Sequence, residues 1–352
     1  MKVGIITFSN ASNIGAVLQA FSLQSFIMHE YQYEVVLINY TYTSSNVSID
    51  YKKSTILQYC EKIRRLRKIL YNRVNNRLFD EFRHKYLFLG KEQFANYIPE
   101  NAENCDVYIT GSDQVWNTDL NGKRGAFYLD FVNGRKKIAY SASVGRDLTE
   151  TDKEFILQNL HRFDKISVRE NSLSEFLGNA LINNTVTVDP VFLQSDFFWR
   201  NIERRINGPK PYIFCYVMEN SLIIQEKAKE ISKKLSAKII WVNGGGFTSS
   251  FPGKRCHFVG PREFLYLIDN SLAVVTNSFH GAAFSVIFKK PLYIVAHSKR
   301  NERLVQLALL LNQKNKIIYN LEDVAAEIYP KNSHPLFDLI DVSKQYLNNC
   351  LM

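Results

Sequence analysis

A chain of 352 residues with 46% apolar and 22% charged side chains has the balance of a soluble globular protein, and it exceeds what one hydrophobic core usually serves, so two domains are expected. Nine prolines and sixteen glycines without a low-complexity tract exclude a fibrous or disordered chain, and no apolar run approaches the ~20 residues of a membrane-spanning helix. The five cysteines are odd in number and form no C-x-x-C pair, which excludes a disulfide framework or zinc ribbon and predicts a reduced, cytoplasmic protein.

In chain order, Met1 to Phe8 is too short for a signal peptide and reads as a first buried strand, Val3–Thr7. A helix follows over Gly15–Met28, then a strand over Val35–Ile38. Much of the net charge of +10 gathers in residues 52–85, where eleven basic side chains meet three acids and apolar residues recur at helical spacing. This basic amphipathic helix is either a solvated surface helix or a contact for anionic lipid headgroups or a diphosphate-bearing substrate. The segment lacks interleaved aromatics and any DNA- or RNA-binding motif, so nucleic acid is not the expected partner.

Strands are predicted at Cys105–Thr110, Lys137–Ser141, Lys165–Val168 and Thr185–Val188, with helices over Thr151–Leu160 and Asn171–Leu177. The polar stretch Gln194–Pro211 is the expected domain junction. A second series follows: strands Tyr212–Val217, Lys238–Val242, Leu272–Thr276 and Pro291–Val295, and helices Ser221–Leu235, Arg262–Ile268 and Arg303–Leu311. This alternation predicts an α/β fold of two Rossmann-like, doubly wound domains, residues 1–193 and 212–335, facing a cleft. Residues 336–352 form a closing C-terminal helix.

Ligands bind such sheets at the carboxyl ends of the strands, and here those ends are polar. After the first strand, Asn10-Ala11-Ser12-Asn13-Ile14-Gly15-Ala16 opens a helix, where free N–H groups attract anions or sugar hydroxyls. Gly111-Ser112-Asp113-Gln114-Val115-Trp116-Asn117 is dense in hydrogen-bonding groups, and Trp116 offers a face for a sugar ring. Taken singly, Trp116 reads as core packing and Asp113 as a helix cap. Arg169, in Ser167-Val168-Arg169-Glu170, has the planar fork that suits a carboxylate or phosphate, or else pairs with a nearby acid. Thr276-Asn277-Ser278-Phe279-His280-Gly281 ends a buried strand with a histidine, the side chain best suited to move a proton near neutrality. His297, Lys299 and Arg300 follow the next strand and also face the cleft. No Asp/His cluster has metal-ligand spacing.

The motifs Asn13-x-Gly15-Ala16-x-Leu18-Gln19, Gly111–Asn117, Ser141-Ala142-Ser143-x-Gly145, Ser167–Glu170, Asp189-Pro190-Val191-Phe192-Leu193 and Thr276–Gly281 occur together and in order. In this the chain resembles the polysaccharide pyruvyl transferases over roughly residues 1 to 300. The resemblance implies a glycosyltransferase-B-like fold and transfer of a pyruvyl group from phosphoenolpyruvate to a sugar of a surface-polysaccharide precursor, as a ketal. It implies no cofactor beyond that donor. His280 and Asp113 are then the catalytic acid and base. Arg169, Arg262, Ser278, Lys299 and Arg300 become donor-binding candidates, and Asn13, Gly15, Gln114, Trp116 and Asn117 acceptor-binding ones. Some relatives carry an arginine where this chain has Ser278, so Arg262, Lys299 or Arg300 takes that load or the donor differs. An undecaprenyl-diphosphate-linked acceptor and a peripheral place on the inner face of the plasma membrane would suit the basic helix. The shared architecture also admits a nucleotide-sugar-dependent glycosyltransferase or a non-catalytic sugar-binding relative.

Overall fold

The computed structural model describes residues 1–41, 74, 76–246, 249–298, 301–329 and 334–352. The first half runs β1 (Lys2–Ile6), α1 (Ile14–Tyr31), β2 (Glu34–Leu37), β3 (Tyr40–Thr41), a helix α2 over residues 76–86, and β4 (Phe94–Ala95). It continues through β5 (Val107–Thr110), α3 (Thr118–Asn121), β6 (Lys136–Ala142), α4 (Glu150–Leu160), β7 (Lys165–Val168), α5 (Asn171–Asn179) and β8 (Thr185–Val186). Strands β2-β1-β5-β6-β7-β8 lie in that order and every neighbour is parallel. Parallel strands are covered on both faces, which is why Ile5 and Ile109 on one face and Ile6 and Tyr108 on the other are all buried and the strands read as continuous apolar runs.

The second half contains α6 (Asp196–Arg200), β9 (Tyr212–Val217), α7 (Leu222–Lys234), β10 (Lys238–Asn243), β11 (Lys254–Arg255) and α8 (Pro261–Asp269). Then come β12 (Ala273–Thr276), α9 (Phe279–Ile287), β13 (Leu292–Ile294), α10 (Glu302–Leu310) and α11 (His334–Leu351). Its sheet, β11-β10-β9-β12-β13, is also parallel throughout. Both halves are therefore α/β units built on parallel sheets, as the alternation predicted. Among the described residues no helix is long and apolar enough to cross a membrane.

The halves are joined more tightly than a polar junction suggests. Every residue of α1 from Ile14 to Ile27 is buried, as expected of a helix enclosed on all sides. One continuous core takes Val3 and Ile5 from β1, Val17 and Phe21 from α1, and Phe264 and Phe284 from α8 and α9. The stretch 194–211 is not a simple exposed linker. Within it α6 buries Trp199, whose ring stands edge-on to Phe284 at 4.9 Å and to Phe21 at 6.1 Å. Trp199 and the partly buried Phe198 are enough to anchor one helical turn inside a polar stretch, while Phe197 faces out.

The closing helix returns to the first sheet. In α11, Ser343 Oγ accepts from the Val188 N–H at 2.9 Å, and Tyr346 donates to the Ala139 carbonyl at 3.0 Å. It therefore completes the N-terminal unit. Of the basic helix expected over 52–85, residues 52–73 and 75 lie outside the described residues. The described end, α2, buries Phe79 and Phe82 and sets the Phe82 ring 5.6 Å from Phe21.

Candidate active site at the facing strand ends

The carboxyl ends of both sheets open onto one cavity of about 450 Å³. The turn after β1 brings Asn10 and Asn13 to it, the turn after β5 brings Asp113 and Gln114, and the β12–α9 turn brings Ser278, Phe279 and His280. Helices α1 and α9 both begin at this cavity. Asn13 Oδ1 accepts from the Ala16 N–H at 3.2 Å and Ser278 Oγ from the Gly281 N–H at 3.4 Å, so each helix carries its own side-chain cap. Their remaining N-terminal amides give this wall a partial positive charge.

His280 is the second residue of α9, and its side chain is only 10% exposed. Its Nε2 lies 3.5 Å from the Asp189 carboxylate, and Arg169 Nη2 lies 2.8 Å from the same oxygen. Arg169 also donates to Ser112 Oγ. The opposite Asp189 oxygen accepts from the Val191 N–H at 3.0 Å, where Asp189 caps the 3₁₀ turn Pro190–Leu193. Burial pushes the Asp189 carboxyl up, but Arg169 and then His280 outweigh it and bring it down to about 2. Asp189 is therefore a buried anion set between two cationic or protonatable groups. With Nε2 turned to Asp189, the ring nitrogen left for exchange is Nδ1, which faces α1. A Cβ at Gly15 would stand 2.0 Å from that atom. Gly15 thus makes the space in which the imidazole sits.

Asp113 is 8% exposed and holds a left-handed backbone, φ 72°, on the turn after β5. Its carboxylate stands 3.9 Å from Arg303 Nη1, across the gap between the two units. Arg303 in turn lies 5.5 Å from the Phe279 ring centroid, and Arg169 lies 5.4 Å from it. Burial and the neighbouring Arg169 charge both lower the Arg303 pKa, with Asp113, Glu170 and Asp189 opposing them. His297 also lines the cavity, with Nδ1 3.4 Å from the Glu219 carboxylate.

Of the residues singled out from sequence, Asn13, Asp113, Gln114, Ser278 and His280 meet at this cavity, with Gly15 directly behind the His280 ring. Others are placed elsewhere. Trp116 is fully buried, stacked 5.5 Å from Tyr128, and presents no face to a sugar. Asn117 is spent on structure: it caps α3 and donates to the Val144 carbonyl at 2.8 Å. Arg169 is 4% exposed and faces Asp189 behind the cavity wall rather than the cavity. Arg262 points away, donating to the Ile202 carbonyl at 2.8 Å and lying over the Tyr86 ring. Lys299 and Arg300 lie outside the described residues.

Two charged groups that the sequence reading did not weigh as site residues, Asp189 and Arg303, complete the arrangement. Asp189 opens the Asp189–Leu193 motif, but nothing local assigns its carboxylate a role. Arg303 opens an ordinary amphipathic helix. Only the packing of remote elements brings either to the site.

A protein-family model described as polysaccharide pyruvyl transferase matches residues 13–299. No curated protein matches the chain. Among solved structures, the chain is similar to the UDP-GlcNAc 2-epimerase of Methanocaldococcus jannaschii at 12% identity, covering 98% of this chain and 100% of that one, with a TM-score of 0.48. The UDP-N-acetylglucosamine 2-epimerase of Rickettsia bellii matches at 10% identity over 99% and 95%, with a TM-score of 0.48. A glycosyltransferase from Streptomyces nogalater matches at 8% identity over 99% and 95%, with a TM-score of 0.37.

Proposed function

The chain belongs to the polysaccharide pyruvyl transferase family, and we propose that it moves the pyruvyl group of phosphoenolpyruvate onto a sugar of a surface-polysaccharide precursor, closing a ketal across two hydroxyls and releasing phosphate. The observation that carries this reading is the buried series Arg169–Asp189–His280 ending at the cavity wall, where two helix N-termini meet. An imidazole fixed by a buried carboxylate is oriented for proton transfer, and helix N-termini favour an anionic donor.

The chemistry divides among these residues without leftover atoms. A protonated His280 gives its Nδ1 proton to the methylene carbon of the enol, making the methyl group. The first sugar hydroxyl adds to the central carbon, and its proton passes to Asp113. The bond from that carbon to the phosphate oxygen then breaks, and the second hydroxyl closes the ketal as its proton leaves with phosphate; Asp113 afterwards gives its proton to solvent and His280 takes one up, so both return to their starting states. Asp189 stabilises the imidazolium before transfer and holds the ring in place. On the N-terminal side of the cavity, Asn10 Nδ2 already donates to Asn39 and Tyr40 and Gln114 Oε1 already accepts from Asn117, so Asn10 offers its amide oxygen and Gln114 its amide nitrogen to sugar hydroxyls.

Support for a lipid-linked acceptor, carried on undecaprenyl diphosphate at an anionic membrane surface, is the net charge of +10. The test is incubation of the purified protein with phosphoenolpyruvate and galactosyl, glucosyl and N-acetylmannosaminyl acceptors, soluble and lipid-linked, with phosphate release measured and products identified by NMR. Acceptor-dependent release that falls roughly 10²–10⁴-fold in His280→Gln is expected. No release with any acceptor, or full activity in that variant, refutes the assignment. Thermal stabilisation by nucleotide sugars but not by phosphoenolpyruvate would favour glycosyl transfer instead.

A further inference from the structure

Among the described residues that line the cavity, one cation has partners that do not account for it. Arg303 reaches the cavity from α10, and its side chain is 11% exposed. Among the described residues its guanidinium makes no hydrogen bond. Its one ion pair there, to Asp113, is 3.9 Å long and comes from a single nitrogen. A guanidinium carries five N–H donors in a rigid fork, and here they open onto the cavity rather than onto a protein acceptor, which leaves them to an anion that enters it.

The position of that fork is nevertheless well defined. One turn further along α10, Gln306 donates to the Arg169 carbonyl at 2.8 Å and accepts from the Asn171 N–H at 3.3 Å, so this helix of the second unit is docked on the first. Leu304, Leu307 and Ala308 fix its other face in the core. The Phe279 ring, 5.5 Å away, restricts the plane of the fork. Arg303 is thus held by a rigid helix at the cavity wall that His280 and Ser278 also line.

The geometry points to Arg303 as the residue that receives the anionic group of the donor, a carboxylate or a phosphate, between its own fork and the N-terminus of α9. This inference rests on the donor reading above for its choice of phosphoenolpyruvate, but the anion site itself does not. It reassigns to α10 a role that sequence had offered to Arg262, Lys299 or Arg300. Asp113 is then a resident counter-ion that gives up Arg303 when the donor arrives, which frees its carboxylate for the sugar hydroxyl.

The experiment is calorimetric titration of the full chain and of Arg303→Met, Arg303→Lys, Asp113→Asn and the Arg303→Met/Asp113→Asn double variant. The probes are phosphoenolpyruvate, inorganic phosphate and UDP, and each variant's melting temperature is measured alongside. Arg303→Met should weaken phosphoenolpyruvate and phosphate at least roughly tenfold, and Arg303→Lys should recover part of the loss, since it restores the charge without the fork. Asp113→Asn should tighten the same anions, because the resident competitor is gone. The double variant should lose that gain.

Unaltered binding in Arg303→Met overturns the inference and leaves the donor reading standing. So does a double variant that binds as tightly as Asp113→Asn, because Arg303 would then serve only to neutralise Asp113. Binding of UDP alone, lost in Arg303→Met, supports the anion site and overturns phosphoenolpyruvate as donor. A wild-type chain that binds none of the three overturns both.

Discussion

Replacing Gly15 by alanine tests the arrangement around His280 most directly. The added Cβ would stand 2.0 Å from His280 Nδ1, 2.4 Å from Cε1 and 2.5 Å from Cγ, whereas ordinary contact begins at 3.4 Å. The ring must therefore retreat by about 1.4 Å. It cannot take α9 with it, because Ala282, Ala283 and Phe284 are fully buried one turn on. Rotation of the side chain away from Asp189 is what remains. A displacement of ~1 Å in a reacting group costs on the order of 100-fold in rate, or about 2.7 kcal/mol in the barrier. Stability should change little, since alanine is favoured over glycine in a helix by up to ~1 kcal/mol and offsets part of the clash. The assay is acceptor-dependent phosphate release at saturating substrates, with the melting temperature measured on the same samples. Adding Gly15→Ala to the His280→Gln variant should cost clearly less than in the wild type. A turnover within about threefold of wild type for Gly15→Ala would refute the claim that the ring must occupy that space.

Trp116→Ala should destabilise the chain by ~3–5 kcal/mol through the lost stack on Tyr128. Trp116→Phe should fold and leave the acceptor KM unchanged, and a raised KM would restore a sugar-binding role. Asp152 is held down to about 2, where burial opposes and the Arg146, Thr149 and Thr118 hydrogen bonds prevail, and Asp189 is likewise brought down to about 2. A depressed carboxyl stabilises the fold above its unfolded pKa and loses that contribution as pH falls through the folded one. Urea titrations should therefore show stability falling between about pH 4 and pH 2, with Asp152→Asn less stable than wild type at pH 7 by on the order of 2 kcal/mol and with a shallower acid slope. Glu203 runs the other way. Burial and then Asp269 raise it to about 7, against Arg200 and Lys290, so its ionisation costs stability progressively as pH rises from about 4.5 to 7. Glu203→Gln should accordingly be more stabilising at pH 8 than at pH 5; equal effects at the two pH values would contradict this.

The two parallel sheets were legible because most of their strands are short apolar runs bounded by polar turn residues, a pattern that local chemistry alone produces; β11, Lys254–Arg255, has no such run and only its pairing with β10 makes it a strand. The β12–α9 turn was legible for the same reason: Thr276-Asn277-Ser278 ends a strand and Ser278 caps the helix that carries His280. The partners of these residues were not. Gly15 read as a ligand contact, whereas it is a space for a ring supplied from the other half of the chain. Trp116 read as a sugar platform, because sequence does not say which way a side chain leaves a turn, and here it turns inward onto Tyr128. The Arg169 fork suits any nearby anion, and only the fold shows that Asp189, rather than the adjacent Glu170, is the acid it meets.

Sequence by itself determined the two α/β units, the polar strand ends and the family, all of which depend on neighbours a few residues apart. Tertiary structure decided which of those polar groups share a cavity, that α11 closes the first unit, and that Arg303 and Asp189 belong to the site. Asp189 and Arg303 reach His280 and Asp113 from positions distant along the chain, and such contacts are set by how buried helices pack rather than by any local pattern.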